Sequence, residues 1–149
     1  MSTLNPLRMV DISDKEIVHR VAEASGRIWL KEVSMDAIRK GAAQKGDPLA
    51  VAEVACVLAA KGTPRIVPLC HPVPLTSVDT EFIVGAGFVE AKCRVSANYR
   101  TGVEMEALTG VSAALLTIWD MVKYLEKDER GQYPDTAITD IRILEKRKG

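Results

Sequence analysis

The sequence predicts an α+β fold, with antiparallel strands in one layer and helices packed against it. Three observations carry that expectation. Ser77 to Val84 and Phe88 to Tyr99 alternate apolar and polar residues on either side of Gly85-Ala86-Gly87, which is the pattern of a hairpin. From Ala107 to Trp119 no residue is charged and apolar side chains point to every side of a helical wheel, as in a core helix. Alternating stretches at Ile17 to Leu30 and Ala137 to Leu144 lie near the two ends, so strands, helices, a hairpin, a long helix and a strand follow in order.

The bulk numbers set limits. At 149 residues the chain is expected to be one domain, 1–149, with a flexible arm over 1–8 and a basic tail over 145–149. Twenty basic residues balance twenty acidic ones, so the basic excess of a generic nucleic-acid binder is missing. Cys56, Cys70 and Cys93 are widely spaced with no CxxC, which argues for reduced thiols in a cytoplasmic protein and against a zinc ribbon or redox dithiol. The first residues lack the basic-then-apolar pattern of a signal peptide. The apolar core helix is too short and too charged at its ends to read as a membrane span.

In chain order, Met9 to Ser13 reads as an edge strand or extended arm, with Asp11 and Ser13 able to cap a turn. Ile17 to Leu30 reads as a strand pair turning at Ser25-Gly26. His19 has no partner spacing and is expected to be structural or exposed. Ser34 is the expected N-cap of a helix that ends near Gly41. Asp47-Pro48 is a cap followed by a proline at the first helical position, opening a largely buried helix from Leu49 to Ala60 that stops at Lys61-Gly62. Lys45 therefore sits in a tight turn before a helix N-terminus, either plainly solvated or set to meet an anion.

Pro64 to Pro74 holds four prolines, which rule out a helix or central strand and favour a rigid extended strap. His71, between Cys70 and Pro72, is thereby fixed in place, as a binding or catalytic group needs to be. A metal site at Cys70-His71 is disfavoured because adjacent residues rarely serve one ion and no partner spacing appears, so neither metal nor cofactor is expected. Glu104 and Glu106 open the core helix, where acids commonly do no more than complement the helix dipole. Asp120 and Lys123 lie three apart at its far end, on one face, and taken alone fit an ordinary surface pair. Glu126 to Pro134 reads as a charged loop.

The segments Pro68-Leu69-Cys70-His71-Pro72 and Thr101-Gly102-Val103-Glu104-Met105-Glu106-Ala107-Leu108-Thr109 give the chain a family resemblance. With Met9 to Ser13, Lys45-Gly46-Asp47, Ala59-Ala60-Lys61 and Leu116 to Lys123, the chain resembles the cyclic pyranopterin monophosphate synthases, the MoaC-type enzymes of molybdenum cofactor biosynthesis. The match runs in register from Met9 to Leu144. The resemblance implies a ferredoxin-like fold and a hexamer, a trimer of dimers, with sites at subunit interfaces and no nucleic-acid or membrane partner. It implies a cyclised dihydroguanosine triphosphate as substrate, with cyclic pyranopterin monophosphate and pyrophosphate as products.

Carried over by residue, the same resemblance makes Asp120, Lys123 and Lys45 catalytic. It assigns substrate contacts to Leu69, Cys70, His71, Met105 and Glu106, and further pocket positions to Asp11, Arg20, Lys61, Thr101 and Glu104. Gly62 and Arg100 stand where many members have a basic residue and a lysine, and the loop from Glu126 to Asp135 is longer than in many. Such chemistry needs proton transfers and a leaving pyrophosphate. An amine among apolar neighbours gives up its proton more easily, which suits Lys123, after Met121-Val122, to act as acid and base. Asp120 would position it, Lys45 would act on the phosphate side, and Lys61, Arg20, Arg100 and His71 would neutralise the triphosphate. The competing expectation is a non-catalytic nucleotide-binding or regulatory module of the same fold. It is weakened by the missing GxxxxGK[ST] loop and by a sheet poor in aromatic residues.

Overall fold

A computed structural model describes residues 5–149. The expected arm over 1–8 falls partly outside the described residues, and residues 5–12 form neither helix nor strand. The elements are β1 (Val18–Trp29), α1 (Glu32–Lys40), α2 (Pro48–Lys61), β2 (Leu75–Val84), β3 (Phe88–Tyr99), α3 (Glu104–Glu126) and β4 (Ala137–Lys148). The sheet order is β2-β3-β1-β4 and every neighbouring pair is antiparallel. This is the ferredoxin-like α+β arrangement, in which two strand–helix–strand units interleave and leave their helices on one face of the sheet.

The hairpin forms as its pattern requires. Cys93, Val95 and Ala97 point into the core from β3 while Lys92, Arg94 and Ser96 alternate outward. β1, by contrast, is one unbroken strand, paired with β3 from Val18↔Tyr99 to Trp29↔Phe88, and Ser25-Gly26 is no turn. Glycine is needed there because α3 crosses the strand. A Cβ on Gly26 would meet Leu115 Cδ1 at 2.8 Å and Val111 Cγ1 at 3.0 Å. The basic tail expected over 145–149 is instead the end of β4, with Lys148 paired to Arg20 across the sheet. Met9 to Ser13 is not a strand either, although Asp11 Oδ1 does accept the Ser13 N–H at 2.8 Å.

The helices also depart from expectation in places. α1 begins after Lys31, and Ser34 lies one turn inside with its buried hydroxyl donating to Glu126 rather than capping. Gly41 ends α1 in the left-handed conformation at φ 61°, as its sequence position suggests. Asp47 caps α2 as expected, its Oδ1 accepting the Leu49 N–H at 3.1 Å. α2 is not largely buried: Pro48, Ala52, Cys56 and Ala60 face inward, and Val51, Val54 and Leu58 face out. Its end at Gly62 is not left-handed (φ −98°), and the proline-rich stretch beyond is not extended throughout: a 3-10 turn, Thr63–Arg65, is followed by turns and bends from Ile66 to Cys70, and only His71–Pro74 lies outside any turn or helix before β2.

α3 is the spine of the fold. One side packs on β1 and β3 and a second on α2, where Gly110 lets the two helices close. A Cβ at Gly110 would lie 3.0 Å from both the Cys56 and Cys93 sulfurs. The third side is open, so Leu116 is exposed and the helix is not packed all round. At its end, Glu126 is no loop residue. It is fully buried and accepts from the Lys31 N–H at 3.0 Å, the Thr136 hydroxyl at 2.6 Å and the Ser34 hydroxyl.

Candidate active site

The start of α2 lies beside the end of α3, and this is where the first set of candidate residues meets. Ala43 and Gly46 exchange backbone hydrogen bonds of 3.0 and 3.1 Å, closing a tight turn whose two central residues are Gln44 and Lys45. The turn projects Lys45 over the last turns of α3. Its Nζ lies 2.8 Å from Asp120 Oδ2, and Lys123 Nζ lies 3.1 Å from Asp120 Oδ1. One carboxylate is thus gripped by two amines. The hydrogen bonds from Lys45 first, and then Lys123, hold Asp120 below the usual carboxylate range, so it is ionised at neutral pH. Beside the pair is an open hollow of about 400 Å³ walled by Leu116, Trp119, Tyr133 and Ile138. Trp119 and Tyr133 meet edge to face with centroids 5.3 Å apart.

The second set gathers at the opposite end of α3. Leu69, Cys70 and His71 on the strap face Thr101, Gly102, Glu104 and Met105 across a hollow of about 340 Å³. The strap is held against the helix by Cys70, whose Sγ lies 3.6 Å from Glu106 Oε2. Glu106 is only 2% exposed and its Oε1 has no hydrogen-bond partner. Burial pushes its carboxyl above the ordinary value, and the neighbouring Glu104 adds to this. Burial and then the Glu106 charge push the Cys70 thiol up to about 11, so it stays protonated and is no nucleophile at neutral pH.

Glu104 is half-buried, which works against its charge. Lys146 Nζ at 2.6 Å and the nearby Arg20 outweigh that and lower it. Arg20 is itself buried, with its Nε donating to the Tyr99 carbonyl at 3.3 Å and, among the described residues, no carboxylate in ion-pair contact. Asp11 is exposed near His71, and its carboxyl is lowered chiefly by the Ser13 N–H. Lys61 joins neither cluster. It ends α2 exposed, lining adjoining clefts with Arg65 and Pro72 on one side and with Val73 and Leu75 on the other.

From Glu104 to Asp120 is sixteen residues of unbroken helix, so the two sets stand about 24 Å apart along α3. A single copy brings together Lys45, Asp120 and Lys123, and separately brings Cys70, His71, Met105, Glu104, Thr101 and Glu106 together, but does not join the two. The sequence reading missed Lys146, which it assigned to a tail. It also missed Tyr124, whose hydroxyl accepts the Gln44 N–H at 3.0 Å, and no residue pattern signals such a bond. His19, as expected, is exposed, with Nδ1 3.1 Å from Asn98 Oδ1. Among the described residues, no cluster of three or more histidine, cysteine or acidic side chains could hold a metal ion.

A sequence model of the MoaC family matches residues 9–149. Among relatives, the chain is 57% identical to a protein of Thermococcus kodakarensis named probable cyclic pyranopterin monophosphate synthase, over 96% of this chain and 92% of that one. It is likewise 57% identical to an Aeropyrum pernix protein of the same name, over 95% of this chain and 97% of the relative. A Methanothermobacter thermautotrophicus relative, 52% identical over 95% of this chain and 89% of its own, is named a probable cyclic pyranopterin monophosphate synthase accessory protein.

Proposed function

The chain belongs to the MoaC family, and from that premise we propose that it converts a cyclised dihydroguanosine triphosphate to cyclic pyranopterin monophosphate, releasing pyrophosphate, in molybdenum cofactor biosynthesis. The observation that carries this reading is the grip of Lys45 and Lys123 on the ionised Asp120 beside an apolar hollow. Two amines bridged by a carboxylate form a proton relay whose geometry is set before substrate arrives. In this reading a substrate hydroxyl attacks the α-phosphorus. The new phosphorus–oxygen bond forms as the bond to the β-phosphate bridge oxygen breaks, and the electron pair leaves with pyrophosphate. Lys123 gives and takes the protons of the ring rearrangement, Asp120 orients it, and Lys45 meets the charge that grows on the leaving group.

The other cluster supplies recognition. A guanine-derived ring presents adjacent N–H donors, and the buried carboxyl of Glu106, with one oxygen unpartnered, is an acceptor for that edge. Leu69, neutral Cys70 and Met105 offer apolar and sulfur contacts to its faces. His71, Thr101 and Arg20 are the polar and cationic groups this cluster offers to the phosphates, with the charge of Asp11 near His71 and that of Glu104 near Arg20, while Lys61 would reach them from outside the cluster. Because the two clusters stand about 24 Å apart on one helix, a complete site takes its halves from different copies. Each 149-residue chain acts as one domain of a cytoplasmic homo-oligomer, a hexamer built from dimers.

The test is direct. Purified protein is given the cyclised precursor, and pyrophosphate and the cyclic monophosphate are measured. Turnover falling by about 10²-fold or more in Lys123→Ala supports the assignment. A Lys123→Ala rate close to that of the unsubstituted protein overturns it, and a protein that binds the precursor without releasing pyrophosphate is a binding module instead.

A further inference from the structure

α3 touches the Lys45 turn at two points, and only one of them is Asp120. Four residues on, along the same face of the helix, the Tyr124 hydroxyl accepts the Gln44 N–H at 3.0 Å. Gln44 and Lys45 are the two central residues of a turn closed on both sides by Ala43 and Gly46. The turn is otherwise poorly anchored: Gln44, Lys45, Gly46 and Asp47 are all exposed, and no apolar side chain between Ala43 and Pro48 ties it down. Gly46 sits at φ 122°, a conformation that L side chains rarely adopt, and a Cβ built there would touch nothing, so this residue supplies no packing to the turn. A flexible four-carbon lysine on a solvated turn has many places to put its amine. A backbone hydrogen bond at the residue before it removes part of that freedom, because it fixes the Ala43–Gln44 peptide plane, one peptide ahead of Lys45, against α3.

We propose that Tyr124 is a positioning residue for Lys45, holding the Gln44-Lys45 turn against α3 so that the amine meets Asp120 ready for proton transfer. This rests on the proposed catalytic role of Lys45. Tyr124 touches no reacting atom in that scheme; it acts through the turn. The arrangement divides the work between two side chains one helical turn apart, with Tyr124 holding the backbone and Asp120 holding the amine. A loss of positioning lowers the fraction of molecules with Lys45 in place, and therefore lowers kcat, while leaving the recognition cluster at the other end of α3 untouched.

The experiment compares Tyr124→Phe with the unsubstituted protein, since phenylalanine keeps the ring and loses only the hydroxyl that accepts the Gln44 N–H. Three readings are taken: kcat and KM for pyrophosphate release from the cyclised precursor, amide hydrogen exchange at Gln44, and the thermal midpoint. The expected result is a three- to tenfold fall in kcat with KM within twofold, faster exchange at Gln44, and a midpoint little changed. Lys45→Ala is run alongside. If Lys45→Ala keeps full turnover, the catalytic reading of Lys45 fails. If Lys45→Ala is inactive but Tyr124→Phe keeps full kcat, or loses activity only through a raised KM or a collapsed midpoint, the positioning role alone is overturned.

Discussion

Replacing Glu126 by alanine is expected to be among the most damaging single changes outside the candidate site. The carboxylate is fully buried and collects three donors from three segments: the Lys31 N–H ahead of α1, the Ser34 hydroxyl within α1, and the Thr136 hydroxyl ahead of β4. Each buried donor left without an acceptor costs about 1–3 kcal/mol, and hydroxyls that can turn elsewhere fall at the low end. The sum is about 3–5 kcal/mol, which for a chain of this size lowers the thermal midpoint by roughly 6–20 °C. Glu126→Gln keeps an acceptor but turns an amide N–H₂ toward a donor, and should cost about 1–2 kcal/mol. Denaturant unfolding of both variants at one fixed protein concentration reads these values, so that any association between copies weighs equally on each. If Glu126→Ala unfolds within about 1 kcal/mol of the parent, the three-way clamp does not carry the weight given to it here.

Three further outcomes follow from named contacts. Gly110→Ala should gain about 1 kcal/mol of helix propensity but lose about 1–3 kcal/mol as α3 is pushed off Cys56 on α2 and Cys93 on β3, for a net loss that Cys56→Ala partly relieves; net stabilisation in equilibrium unfolding would be the wrong sign. Alkylation of native protein by iodoacetamide should label Cys70 with a rate still rising toward pH 11 rather than levelling near 9, and should leave buried Cys56 and Cys93 unmodified until unfolding. Burial raises the Glu106 carboxyl above its ordinary 4.5, so the folded chain binds that proton more tightly than the unfolded one. Stability from this group is therefore lost as pH rises from 4.5 through the raised value, and Glu106→Gln should remove that slope. Parallel stability–pH curves for the two proteins would contradict it.

How far the residues announce the structure depends on whether the deciding contact is local. The hairpin from β2 to β3 and the Asp47-Pro48 start of α2 are readable because a period of two, a glycine turn and a cap are set within a few residues. Gly26 misleads because a glycine that marks a turn and one that admits a crossing helix look the same in sequence. Glu126 misleads more: its burial depends on Ser34, 92 positions away, and a charge at a helix end beside a Pro- and Gly-punctuated stretch reads as solvent-exposed. Lys146 falls in what reads as a basic tail because the pairing partner that makes it a strand, β1, lies at the other end of the chain. In the site, helical spacing alone puts Asp120 beside Lys123. Lys45 reaches Asp120 across 75 positions, and only the family resemblance anticipates that meeting. The hydrogen bond from Gln44 to Tyr124 joins a backbone to a side chain and leaves no mark on residue choice.

The most direct test of the two-copy site mixes two damaged proteins. Asp120→Ala disables one end of α3 and His71→Ala the other, and each alone should be nearly inactive toward the cyclised precursor. Unfolded together and refolded as a mixture, with exchange followed by two different tags, they should recover about a quarter of the parent turnover. Half the random pairs are mixed, and in each of those one of two sites receives both intact halves. A mixture whose tags show full exchange but whose pyrophosphate release stays at the level of the separate variants would mean that the two ends of α3 do not meet across copies.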